Sequence, residues 1–225
     1  DMYVIEDYKK KYFMHLMHEV VRNVEYNVED NVLTFKVDTV NGTTNSAWYY
    51  KSTYEYKVYG SGDILVNVCG VPSGKVENAP EMLPKIGLQM KVNKDLEYVK
   101  YMGRGPEESY SDTKEANLFG VFENTVDGLF TNYVKPQENG NRSDCSWVSL
   151  RNDRGMSIMA IANNKFDFSA SYYEDTDLEY AKHTVDLIKR DYIVFNIDYK
   201  QNGVGTNSCG QWQMEKYRCK FEELN

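Results

Sequence analysis

Glu107 and Glu108 stand side by side in "GRGPEESYSD", and Glu138 follows in "YVKPQENGNRSD" (Tyr133–Asp144). Two carboxyl groups can act as acid, base or nucleophile at a glycosidic bond when they are held about 5–5.5 Å or about 6.5–9.5 Å apart. Neighbouring strand residues point to opposite faces, and 34 acidic residues in 225 make such neighbours common by chance. The spacing therefore singles out no catalytic pair. His15 and His18 fall three apart, a helical spacing that could share a metal, but no third ligand stands near them. Exposed surface histidines are the expectation there, and a structural hydrogen bond is the expectation for His183 near Asp186. No serine or cysteine has the local motif of a histidine-activated nucleophile. "GVGTNSCG" (203–210) is glycine-rich but does not lead into a helix, so it fails the dinucleotide-loop test. Its glycines shape a tight loop with Asn207, Ser208 and Cys209 at the tip.

Two loops must hold whatever chemistry exists. In "YMGRGPEESYSD" (101–112), Pro106 biases Gly105 away from helix, so the segment reads as a shaped turn between strands. The plain expectation is a clamp, with Arg104 paired to a carboxylate and Tyr110 packed with its hydroxyl bonded. In "KPQENGNR", Pro136 and Gly140 interrupt two strand-like runs. That string is either an ordinary surface loop or a rigid one that presents side chains.

Composition narrows the function classes. A net charge of −8 argues against a nucleic-acid or anionic-membrane surface. No apolar stretch is long enough to span a bilayer, and no signal peptide opens the chain. The start lacks an initiator Met and reads as a piece of something longer. The compartment, cytoplasmic or periplasmic, is left open. Cys69, Cys145, Cys209 and Cys219 include no CxxC pair, so free thiols are expected.

The elements around these loops read mostly as strands. Tyrosine, phenylalanine and tryptophan make up 14% of the chain, and such rings favour pleated surfaces. In "WYYKSTYEYKVY", Trp48, Tyr50, Tyr54, Tyr56 and Val58 share one parity, the mark of a strand with one wet face. "NVLTFKVDTV" and "KIGLQMKV" alternate in the same way. "DILVNVCG", "GMSIMAIA" and "DYIVFNID" are more continuously apolar, as in strands covered on both faces. "QWQMEKYRCKF" changes parity midway and predicts a strand with a bulge near Glu215. Two helices are predicted. One lies over 9–21, with Phe13, Leu16, Met17 and Val20 as its stripe. The other lies in "DTDLEYAKHTVDLIK", with Thr176 and Glu179 as a capping box and Leu178, Ala181, Val185 and Ile188 on one side. There is no βαβα alternation, so a TIM barrel or Rossmann sheet is excluded. One large antiparallel sandwich domain over 1–225 is expected, with 1–25 as a linker or helix leading into it.

Four blocks in fixed order, "GRGPEESYSD", "YVKPQENGNRSDCSW", "FSASYY" with "LEYAKH", and "FNIDYKQNGVGTNSCG", resemble the C-terminal small-chain domain of lac-type β-galactosidases of glycoside hydrolase family 2. The resemblance implies an all-β, large twisted antiparallel β-supersandwich of the galactose-mutarotase-like type with one or two short helices. It also implies a parent enzyme that hydrolyses terminal β-D-galactosides with retention, using glutamates on a separate TIM barrel. This domain would then be non-catalytic, completing one wall of the sugar pocket and supporting oligomeric assembly. Its partners would be the TIM-barrel portion and the galactoside, with no nucleic acid and no membrane. No cofactor is expected here, and any Mg2+ or Na+ of the parent enzyme belongs to its catalytic domain. The resemblance places Asn207, Ser208, Cys209 and Trp212 near the pocket. Arg104, Glu107, Tyr110, Gln137, Glu138, Asn139, Arg142 and Asp198 fall in the supporting motifs. Ser109, Thr113 and Ser146 depart from the usual string. Cys209 stands where lac-type members carry a sugar-stacking tryptophan, and a thiol cannot replace an indole face. A freestanding aldose 1-epimerase, with His183 as its only histidine candidate, or a carbohydrate-binding module are the alternatives.

Overall fold

The computed structural model describes residues 2–205 and 213–224. The chain divides into two compact units, Asp1–Leu83 with Lys220–Asn225, and Pro84–Cys219. Each is built on one antiparallel sheet, so the molecule is all-β with a few short helices.

In the first unit, α1 (Met2–Lys10) and a 3-10 turn (Met14–Leu16) precede four strands. These are β1 (His18–Glu29), β2 (Val32–Gly42), β3 (Trp48–Tyr59) and β4 (Ile64–Gly74), paired in chain order. Asp30 and Asn31 join β1 to β2 with φ of 50° and 61°, a two-residue hairpin that short polar side chains tolerate. The register puts Tyr26, Phe35, Tyr56 and Val66 in one row across the sheet, between Val24–Val37–Tyr54–Val68 and Val28–Leu33–Val58–Ile64. The opposite face carries Glu25, Lys36, Glu55 and Asn67. The chain end returns to this unit. Leu224 pairs with Gly70, and Phe221 packs edge-on against Trp48 and Tyr50 at 5.2 and 4.4 Å between ring centres.

The helix expected over 9–21 is not formed. Phe13 takes a left-handed conformation (φ 54°), and strand begins at His18. Pairing of the β-branched alternation in β1 with β2 outweighs a four-residue apolar stripe. β4 is an edge strand with Ile64 and Leu65 exposed, rather than covered on both faces.

The second unit holds β5 (Lys85–Asn93), β6 (Tyr98–Gly105), β7 (Leu118–Thr125), α2 (Val126–Leu129), β8 (Arg142–Arg151), β9 (Ser157–Ser171), α3 (Asp175–Tyr180) and β10 (Tyr192–Gln201). The sheet order is β5-β10-β9-β8-β6-β7. One face carries the core, where Tyr101, Val148, Leu150, Phe168, Ile193 and Phe195 meet Leu129 of α2. On the other face of β10, Asn196 accepts from Gln89 (3.0 Å) and donates to Ser169 (2.9 Å). β10 is thus buried on both sides, as its composition implied. The "GMSIMAIA" run is not, because Met156, Met159 and Ile161 face solvent.

The second predicted helix shortens to α3. Glu174 caps it with Asp177 in a reciprocal box, in place of Thr176 and Glu179, and the chain turns extended at Ala181. Leu178 and Ala181 are buried, while Val185 and Ile188 are exposed. Asp177 accepts two hydrogen bonds from Arg190, which draws the chain back before a second helical turn can form. Residues 213–221 form a 3-10 turn (Glu215–Tyr217) and extended coil where a bulged strand was expected. Their bonds go instead to Asn202 and Gly203, with Cys219 N donating to Asn202 Oδ1 at 2.9 Å and Gly203 N to Tyr217 O at 3.1 Å.

Candidate functional site

β6 delivers the first loop and β8 receives the second, and the two loops are zipped together. Ser109, fully buried, donates its N–H to Asn141 O (2.8 Å). Its carbonyl accepts from Asn141 Nδ2 (2.8 Å) and Ser143 Oγ (2.9 Å), and its Oγ accepts from Ser143 N (2.9 Å). Glu108 takes Gly140 N (2.8 Å) on one oxygen and the Tyr133 hydroxyl on the other. Gly140 needs its positive φ of 79° to make that turn.

Beneath the loops lies Arg142, only 2% exposed. Its guanidinium donates to Tyr101 Oη and Pro106 O (both 3.2 Å), Gly140 O (3.0 Å) and Asn141 O (3.3 Å). A buried charge surrounded by carbonyls fixes the backbone of both loops at once. Arg104 forms the outer clamp, reaching Asp144 and Glu115 at 3.2 Å and Asn117 O at 3.1 Å. Asp167 accepts from Asn141 Nδ2 and from Asp144 N. Burial raises its pKa to about 6, and those bonds hold it from rising further.

Above this base sits an acidic cluster around one lysine. Tyr110, 3% exposed, places its hydroxyl 3.5 Å from Glu138. Lys85, at the start of β5, lies 3.4 Å from Asp175. Burial works to lower the Lys85 pKa, but Glu138, Asp175 and Asp198 outweigh it and raise it. Burial raises the Glu138 pKa above the usual carboxylate range, with Lys85 opposing and Asp175 adding to the rise. Glu138 keeps solvent-accessible surface although protein surrounds its carboxyl group, as for a side chain lining a depression. Asp198 on β10 is 3% exposed, and burial pushes it to about 7 against the pull of Lys85. A cluster with more carboxylates than cations favours hydroxyl and ammonium donors over anions.

Tyr110 and Asp198 are therefore both brought near Glu138, whereas Arg104 and Arg142 hold the two loops without touching those three side chains. Glu107 is exposed and stands apart. Gln137 is exposed, with its carbonyl accepting from Asn139 (2.8 Å), and Asn139 Oδ1 accepts from Thr131 N (3.1 Å). His15 and His18 fall on different elements, and His183 is exposed with its N–H on Asp186 (2.9 Å). Among the described residues, no group of three or more His, Cys, Asp or Glu could hold a metal, and Cys69 and Cys145 are free thiols. Asn207, Ser208, Cys209 and Trp212 lie outside the described residues.

Sequence reasoning missed Asp112, Asp167 and Lys85. Asp112 accepts from Val204 N (3.1 Å) and Gly205 N (2.7 Å). It thereby ties the first loop to the stem of "GVGTNSCG". A Cβ on Gly203 would come within 2.7 Å of the Asp112 carboxyl, so a side chain there would have to push that carboxyl aside. Asp167 had a readable signal, an acid between Phe166 and Phe168 whose strand parity turns it away from the core. A single lysine opening β5 had none.

Comparison with known proteins completes these observations. Residues 3–225 match the family model described as β-galactosidase small chain. The chain is 32% identical over 169 residues to a β-galactosidase of Actinobacillus pleuropneumoniae, covering 75% of the chain and 16% of that protein. It is 34% identical over 162 residues to one of Pseudoalteromonas haloplanktis, covering 72% and 14%. It is 26% identical over 219 residues to one of Kluyveromyces lactis, covering 96% and 21%. The chain thus spans about a fifth or less of these relatives' length.

Proposed function

The chain belongs to the β-galactosidase small-chain family, and from that premise we propose that it is a non-catalytic domain or small subunit of a retaining β-galactosidase. In this reading it completes the sugar pocket and supports assembly, while the reactive carboxylates lie on a TIM-barrel partner. The observation that carries the reading is the grip of Asp112 on Val204 and Gly205. It fixes Val204 and Gly205, which precede Asn207, Ser208, Cys209 and Trp212 in the chain, onto a base held by Ser109, Asn141 and Arg142. Further support comes from Glu138, which lies 3.5 Å from the Tyr110 hydroxyl within reach of the Lys85 charge, an arrangement that suits a scaffold.

The test is reconstitution. The remainder of the β-galactosidase, produced separately, should hydrolyse a chromogenic β-galactoside well only when this chain is added, and the chain alone should show no activity. Glu138→Gln should leave reconstituted activity within about tenfold, whereas loss of a catalytic carboxylate would cost several orders of magnitude. Hydrolysis by the isolated chain, abolished in Glu138→Gln, would refute the proposal.

A further inference from the structure

Beyond the end where Phe221 packs on Trp48 and Tyr50, the first unit leaves one face of its sheet uncovered. Tyr26, Phe35, Tyr56 and Val66 form its central row, and the rows on either side are also apolar or aromatic. Tyr26 is 74% exposed, Val28 64% and Ile64 59%, while the inner strands are half-buried. Four strands at ~4.8 Å and three rows at ~6.8 Å give a face of roughly 14 by 14 Å between backbone positions, before side-chain breadth is added. A sheet with one charged and one apolar face is the pattern of a layer that buries the apolar side against another layer. Side-chain breadth brings the patch to a few hundred Å², the size at which exposed apolar patches are often functional.

We infer that this face is the docking surface for polypeptide of the same β-galactosidase that lies outside these 225 residues. The inference rests on the reading above that the chain works within a larger enzyme. The relatives contain five to seven times as much chain as they share with this one, since the matched share is 21% to 14% of their length. A permanent neighbour within one enzyme suits an interface this apolar, because obligate contacts resemble a core cut in two. A sugar is a poorer fit, since only Tyr26, Tyr54 and Tyr56 of the twelve side chains in these rows offer its hydroxyls a hydrogen-bonding partner.

The experiment uses the separately produced remainder of the enzyme and three forms of this chain: wild type, Tyr26→Lys with Val66→Lys, and Glu25→Lys on the charged face. The double variant should weaken association at least a hundredfold by sedimentation, while Glu25→Lys stays within about threefold. Independently of any variant, amide exchange in β1 and β2 of the wild-type chain should slow at least tenfold on adding the remainder. That arm decides the matter if the double variant fails to fold. Wild-type association with no slowing in β1 and β2, or with undiminished binding by a folded double variant, would overturn this inference alone. A wild-type dimer of this chain that the double variant abolishes would overturn it by assigning the face to a second copy. Failure of the wild-type chain to bind or activate the remainder would overturn the proposed function, and this inference with it.

Discussion

Asp198 carries a carboxyl whose pKa is pushed to about 7 by burial on β10, with Lys85 opposing and Glu138 adding to the rise. Below about pH 4 this group is protonated in folded and unfolded chains alike and does not influence stability. Between about pH 4 and 7 the unfolded chain releases the proton while the folded chain keeps it. Stability therefore falls as pH rises through that window and levels off above it. Asp167, raised to about 6, acts in the same direction. Asp144 and Asp177 have lowered values, so what they contribute is lost only as pH falls through the acid range below about 4. Asp198→Asn should flatten the decline, and its stability relative to wild type should rise by on the order of 3 kcal/mol between pH 4 and 7.5. Urea melts across that range measure it, and parallel curves for the two proteins would refute the assignment. Ser109 and Tyr110 make a second residue-level contrast. Ser109→Ala strips the acceptor from a buried Ser143 N–H and should cost about 1–3 kcal/mol. Tyr110→Phe removes a 3.5 Å contact to Glu138, at the edge of hydrogen bonding, and a backbone hydrogen bond with Asn141, and should cost about 1 kcal/mol.

At the scale of elements, β6 and β7 set Gly103 opposite Gly120, yet the two positions differ in kind. A Cβ on Gly103 would lie 2.4 Å from Cys145 Sγ, 3.1 Å from Cys145 Cα and 3.2 Å from Ser143 O, and backbone atoms cannot step aside. On Gly120 the nearest atom would be the Phe122 ring at 3.5 Å, an ordinary contact. Gly103→Ala should lower stability by roughly 2–4 kcal/mol through overpacking at β8. Gly120→Ala should be neutral or stabilise by up to about 1 kcal/mol, because alanine has less chain freedom to lose. Thermal melts of the pair test this, and equal losses would show that the strand pairing is wrong. The strands themselves were legible in the sequence. Trp48–Tyr59 alternates over most of its length and forms β3 with those bounds, because period-two patterning fixes both the strand and its faces. Helix patterns were less reliable. The stripe through Phe13, Leu16, Met17 and Val20 follows the helical period, and only the pairing of β1 with β2 from His18 onward overrides it. For α3, the capping partners Glu174 and Asp177 could not be told from Thr176 and Glu179 until Arg190 was placed in space. The same reason hid Lys85 and Asp112 at the site, where what matters is a neighbour distant in sequence.

At the scale of the whole molecule, the order of synthesis and the order of packing disagree. The first unit begins at the N-terminus, but its last pieces are Phe221, Glu222 and Leu224. Phe221 packs on Trp48 and Tyr50, Tyr50 Oη donates to Glu222 O at 2.9 Å, and Leu224 exchanges both backbone bonds with Gly70. These contacts close a loop that spans all of the second unit. The entropic cost of closure grows only slowly with its length, so a few well-packed groups can hold it. The consequence is that β3 and β4 form early in synthesis but reach full protection only with the final residues. Phe221→Ala should cost the first unit roughly 2–4 kcal/mol, as expected for truncating a half-buried aromatic. Ending the chain at Cys219 should speed amide exchange around Ser52 and Gly70 by at least a hundredfold. Amides at Ile193 and Phe195, in the interior strand β10, should change by less than threefold. An equal acceleration in both places would place the C-terminal residues in a single cooperative structure with β10, and the division into two units would fail. A change confined to β3 and β4 would identify the chain end as the last fastener of that sheet.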